Sequence, residues 1–155
     1  MIRLIFLAVM LVAGVASAGP LTEREGWVVR PTEKSFDDLV ADSLKAVRAN
    51  KMGVVTQAGP TKAAAARGIT IPGNRVIGVF NNRYAVEVLG LSTAAMIEAP
   101  IRIYVTENAD GTATLSYKTP SLVYAPYMAE GGARLEEIAE ELDGVFAAIA
   151  EAAVN

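Results

Sequence analysis

Neither cysteine nor histidine occurs anywhere in the 155 residues. That double absence removes disulfides, thiol nucleophiles, imidazole general bases, and zinc or haem sites that need His or Cys ligands. A Ser or Thr nucleophile would have to take Lys or a carboxylate as its base. Charge is also thinly spread. The 14 Lys and Arg stand against 17 Asp and Glu, a net charge of −3, with no basic cluster. Nucleic acid and anionic lipid, which bind concentrated positive charge, are therefore not expected partners. No long apolar run follows the first segment of the chain.

That first segment has the pattern of a secretory leader. Arg3 supplies a positive start, Leu4 to Val15 is uninterrupted apolar sequence, and Ala16-Ser17-Ala18 offers small residues for cleavage near Ala18-Gly19. The run is too short to span a bilayer. No cysteine follows it, so a lipoprotein-type anchor has no attachment atom. The expected product is a soluble periplasmic or secreted protein without a stable membrane anchor: residues 1–18 are the leader, and residues 19–155 form one domain with one core. Loss of the leader removes Arg3 and no acid, leaving the remainder one unit more negative. An oxidising compartment permits disulfides without requiring them.

Glu25 to Arg30 reads as a first strand closed by Pro31, and the polar Thr32-Glu33-Lys34 leads into a helix over residues 36–50. Ser35 is its N-cap, with Asp38 in capping-box position and Asp37 favourable to the helix dipole. Phe36, Leu39, Val40, Leu44 and Val47 form the apolar stripe, and Gly53 is read as the stop. A second strand, Val54 to Gln57, precedes a short Ala-rich helix opened by Pro60 and ended by Gly68. After the Pro72-Gly73-Asn74 turn, Arg75 to Phe80 is nearly continuous apolar sequence, which predicts a central strand covered on both faces. Residues 83–89 are read as helical.

Ile101, Ile103 and Val105 alternate with Arg102, Tyr104 and Thr106, and Ala113, Leu115 and Tyr117 alternate with Thr114, Ser116 and Lys118. A three-residue loop Ala109-Asp110-Gly111 joins them into a β-hairpin that sets Val105 opposite Leu115 and Ile103 opposite Tyr117, all facing the core. The last element, Ala133 to Val154, is an amphipathic helix with Leu135, Ile138, Leu142, Val145, Phe146 and Ile149 on one side. Gly144 within it implies either close approach of a neighbour or simple tolerance. The composite is an α+β domain with a C-terminal amphipathic helix.

Five segments together resemble the bacterial and archaeal family known as domain of unknown function number 302. They are the Ser35-Phe36-Asp37-Asp38 helix start, Lys51-Met52-Gly53-Val54-Val55, the strand end Phe80-Asn81-Asn82, Ala99-Pro100-Ile101-Arg102-Ile103-Tyr104-Val105, and Asp110-Gly111 followed by Ser116-Tyr117 and Pro120. The resemblance spans roughly residues 25–125. It implies a TATA-binding-protein-like α+β fold, a curved, mostly antiparallel sheet packed on helices, and a homodimer, and it implies no reaction. A His common in the family after the second strand is replaced by Ala58-Gly59, and a usual Gly-Asn-Pro by Asn81-Asn82-Arg83.

Two places could bind a ligand. Asn81-Asn82-Arg83, between a strand and a helix, is a polar turn in the plain reading and an anion clamp in the functional one. Tyr104, Tyr117, Tyr124, Tyr127 and Met128 gather aromatic and thioether surface around the hairpin and the loop after it, as core, dimer contact or pocket wall. Glu136, Glu137, Glu140, Glu141 and Asp143 form the solvated face of the last helix, since a cation site needs convergent oxygens. No metal or cofactor is expected, and no catalytic residue is assigned. The preferred reading is a non-catalytic periplasmic binding or accessory module for a small organic ligand or a protein partner. The rival is a small-molecule enzyme in which Arg83 and Asn82 hold an anion and a Tyr hydroxyl moves a proton.

Overall fold

The computed structural model describes residues 21–155; the leader expected over residues 1–18 lies outside the described residues. The elements run β1 (Trp27–Ser35), α1 (Phe36–Ala49), β2 (Gly53–Ala58), α2 (Thr61–Ala65), β3 (Asn74–Phe80), α3 (Asn82–Leu91), a 3-10 turn (Ala95–Glu98), β4 (Ile101–Glu107), β5 (Thr112–Lys118), α4 (Pro120–Tyr124), a second 3-10 turn (Ala125–Tyr127) and α5 (Met128–Val154). The strands form one curved antiparallel sheet in the order β1-β5-β4-β3-β2. Helices α1 and α5 pack against each other and against one face of the sheet.

Alternation in the hairpin decides which face that is. Ile103 pairs with Tyr117 and Val105 with Leu115, the register expected from the loop. Gly111 supplies the left-handed backbone of that loop, with φ +85°. Ile103, Val105, Leu115, Ile77 and Val79 meet Leu39, Val47, Ile138, Phe146 and Ile149 of the helices in one buried core. Phe146 lies against Tyr117, ring centroids 5.5 Å apart. Ser35 caps α1: its hydroxyl accepts from the Asp38 N–H at 3.2 Å and donates to the Asp38 carboxylate at 2.7 Å.

Several expectations are corrected. β1 does not stop at Pro31 but runs on to Ser35, because it is an edge strand and only some of its N–H groups need a ladder partner. Its polar end is anchored by Lys34, whose ammonium donates to Asp42 at 2.6 Å and to the Ala153 carbonyl at 2.8 Å. The stop of α1 is not Gly53, which opens β2. Lys51 takes the left-handed conformation (φ 59°), the Met52 N–H returns to the Val47 carbonyl and the Lys51 N–H to that of Arg48, which is a Schellman end.

β3 is interior to the sheet, yet among the described residues helices cover it on one face only. Ile77 and Val79 enter the core, while Val76 is half-buried on the opposite side. Gly78 is buried there because a Cβ at this position would collide with Thr56 Oγ1 and come within 2.9 Å of Pro100 Cγ. Tyr124 to Met128 is not a loop; it continues α4 through a 3-10 turn into α5. Helical geometry in α5 breaks at Gly132 (φ 59°, ψ −159°), so the expected start at Ala133 coincides with the regular part. Among the described residues nothing lies within 4 Å of a Cβ added at Gly144, so none of them accounts for that glycine by close approach.

Candidate functional site

A strand with period two sends every second side chain away from the helices, and among the described residues those side chains find no second layer. Their pairing gives three rows across the bare face. In the first, Trp27 pairs with Lys118, Arg102 with Gly78, and Gly78 with Thr56. One further step of the β4–β5 register sets Arg102 opposite Lys118. The second row is Val29, Ser116, Tyr104, Val76 and Ala58. The third is Pro31, Thr114, Thr106 and Asn74.

A cavity of about 630 Å³ opens on this face. Tyr104, Val76 and Ala58 supply its apolar floor, Trp27 and Val123 stand at one side and Gly59-Pro60 at the other, with Arg102, Lys118 and Glu98 among its lining. Only glycine lets the β2–α2 connection close so tightly, since a Cβ at Gly59 would collide with the Asn74 carbonyl oxygen. The volume falls in the range of small-molecule sites, which combine apolar walls with few polar groups.

The charges of the cavity are unevenly matched. Among the described residues no carboxylate comes within ion-pair distance of Arg102 or Lys118. The Lys118 ammonium lies 5.6 Å from the Trp27 ring centroid, and the Arg24 guanidinium lies 5.4 Å from it. Glu98 accepts a hydrogen bond from the Tyr127 hydroxyl at 2.8 Å, and that bond to a carboxylate, more than desolvation, raises the Tyr127 phenol above its ordinary value.

The residues singled out in the sequence are dispersed. Asn81 is the N-cap of α3, accepting from the Arg83 N–H at 2.9 Å and donating to the Lys51 carbonyl at 3.0 Å. Asn82 is exposed as the first residue of that helix. Arg83 stacks over Tyr84 at 4.2 Å and pairs with Glu141 at 3.5 Å. None of the three lines the large cavity, whereas Tyr104 and Tyr117 do. Tyr117 and Tyr124 belong to the core, each 3% exposed, and burial raises both phenols. Asn81 and Tyr124 share only a recess of about 20 Å³, room for about one water. Tyr127 and Met128 are half-buried against the core. The geometry thus separates Arg83 and Asn82 from the cavity tyrosines that the enzymatic reading would join to them.

Sequence reasoning missed Trp27, Val76, Pro60, Arg102 and Lys118. Its own hairpin register carried the signal for two of these, since one more step beyond Ile103 and Tyr117 brings Arg102 and Lys118 together. The others needed the strand order.

The described residues form an α+β domain whose antiparallel sheet carries helices on one side and a cavity on the other. The chain belongs to the family described as domain of unknown function DUF302, whose profile matches residues 28–152. It is similar in structure to an uncharacterized conserved DUF302 protein from Bacillus stearothermophilus, with a TM-score of 0.72 and 16% identity, covering 85% of this chain and 100% of that one. At that identity the likeness speaks for the fold. No curated protein matches the chain.

Proposed function

We propose that this protein is a non-catalytic, exported binding or accessory module that holds a small organic molecule against the bare face of its sheet. The observation that carries this reading is the 630 Å³ cavity between Trp27 and Pro60, floored by Tyr104 and Val76. A side chain layer that served only the fold would have no use for aromatic surface there, because the core lies on the other face. The leader pattern of residues 1–18 supports export to the periplasm or beyond. Homodimer formation is supported by the exposed apolar side chains of Val86, Leu89 and Ile97 on α3 and the turn after it, 71%, 51% and 80% exposed.

The test is titration of the full chain with N-phenyl-1-naphthylamine, an uncharged ring compound that fluoresces when it leaves water. Saturable binding of one molecule per chain is expected, and Val76→Phe, which fills the floor without touching the core, abolishes it. Absence of binding, or binding unchanged in a folded Val76→Phe protein, refutes the reading. Native mass spectrometry of the same samples reports the subunit number, and a strictly monomeric species removes the dimer.

A further inference from the structure

We propose that the ligand of the sheet-face cavity is an organic anion, an apolar ring system carrying one oxyanion, with the oxyanion held between Arg102 and Lys118. The proposal rests on the cavity being a binding site and adds the chemical class of its occupant. The β4–β5 register sets the two cations opposite each other. Directly opposed residues have Cβ atoms only about 5 Å apart, and like charges at that spacing repel. Among the described residues neither cation has a carboxylate partner. Arg30, Lys34, Arg83 and Arg134 each have a carboxylate partner, whereas Arg24, Lys45, Arg48, Lys51, Lys62, Arg67 and Arg75 have none among the described residues, so Arg102 and Lys118 are set apart by their opposition across one strand pair rather than by lacking a partner. Both of these opposed cations line the large cavity.

The chemistry of the pair fits one bound oxyanion. An Arg guanidinium presents two parallel N–H groups to an oxyanion, and a Lys ammonium adds a third donor from the side. Lys118 lies near the outer limit of contact with the Trp27 ring, and its ammonium makes no hydrogen bond to a described residue. Glu98 also lines the cavity, but one of its oxygens is already engaged by the Tyr127 hydroxyl. With the oxyanion between Arg102 and Lys118, the next row of the sheet, Tyr104 and Val76, lies under the body of the molecule. Flat apolar ligands match that floor better than flexible polar ones.

The experiment compares 1-anilinonaphthalene-8-sulfonate with N-phenyl-1-naphthylamine, which has the same ring body without the sulfonate. Wild-type protein is expected to bind the sulfonate about tenfold more tightly than the neutral compound, and in Arg102→Gln/Lys118→Gln that ratio is expected to fall to about one. The double variant should melt at or above the wild-type temperature, because it loses a repulsion. Equal affinity of wild-type protein for the two compounds overturns the oxyanion and leaves the cavity reading standing. A preference that survives in the variant, or a variant that melts lower, also overturns it. Failure to bind either compound overturns the cavity reading and this proposal together.

Discussion

Trp27 on β1 pairs with Lys118 on β5, and the Lys118 ammonium stands 5.6 Å from the centre of the indole ring, with the Arg24 guanidinium 5.4 Å from the same point. Trp27 is the only tryptophan of the chain, so its fluorescence reports on this spot alone. Two cations over one ring concentrate anions and repel cations at short range. Iodide should therefore quench Trp27 about twofold more efficiently than caesium, and Arg24→Gln/Lys118→Gln should level the two. Stern–Volmer plots at matched ionic strength check this.

Gly78 sits under Pro100 and Thr56, with no room for a methyl group. Gly78→Ala is expected to destabilise the fold by about 1–3 kcal/mol, the usual range for overpacking. Adding Thr56→Ala should recover only part of the loss, because Pro100 stays in place. Urea denaturation of the single and double variants measures both effects.

Phe146 is fully buried and packs on Tyr117. Phe146→Ala should cost about 3–5 kcal/mol through lost burial and the void left behind, whereas Phe146→Leu should cost much less. Because Phe146 lies on the helix side of the sheet, dye binding at the bare face of the still-folded Leu variant should be unchanged. Denaturation midpoints and the dye titration together verify the separation.

The hydrogen bond from the Lys34 ammonium holds the Asp42 carboxyl below its ordinary value of 3.8, with the charges of Lys34 and Lys45 adding to the effect and partial desolvation opposing it. A depressed carboxyl binds fewer protons folded than unfolded, so its stabilisation is fully present above 3.8 and is lost as pH falls through the lower folded value. Asp42→Asn should therefore be less stable than wild type at pH 7, with the gap closing in acid below pH 3.8. Paired unfolding curves from pH 7 downward test the sign.

The hairpin was legible because two independent signals agree there. Alternation of Ile103 and Val105 with Tyr104 names the faces, and Asp110-Gly111 fixes the loop that sets the register. The Ser35 cap and the stripe of α5 were legible for the same reason, since each depends on residues a few positions apart. Pro31 misled because its meaning depends on whether the strand is an edge, which only the order β1-β5-β4-β3-β2 decides. The apolar run of β3 misled because Val76 and Gly78 face a cavity and a tight contact rather than a second layer of helices. The tyrosines form one group in the sequence, yet strand alternation sends Tyr104 outward and Tyr117 inward. The cavity itself was not legible, because it joins Trp27 and Pro60 only after four strand pairings are made.

A sheet whose described helices lie on one side lets most substitutions on its other side be made apart from the core, Gly78 and Tyr117 being the exceptions. On the proposed binding role, exchanges at Tyr104, Val76, Arg102 or Lys118 should alter what the exposed surface recognises while the interdigitated layer behind them, from Ile103 to Phe146, keeps its shape. If that role holds, a scaffold of this kind can change what it captures without first solving the folding problem again, and a swap of these few outward positions should transplant preference from one such chain to another.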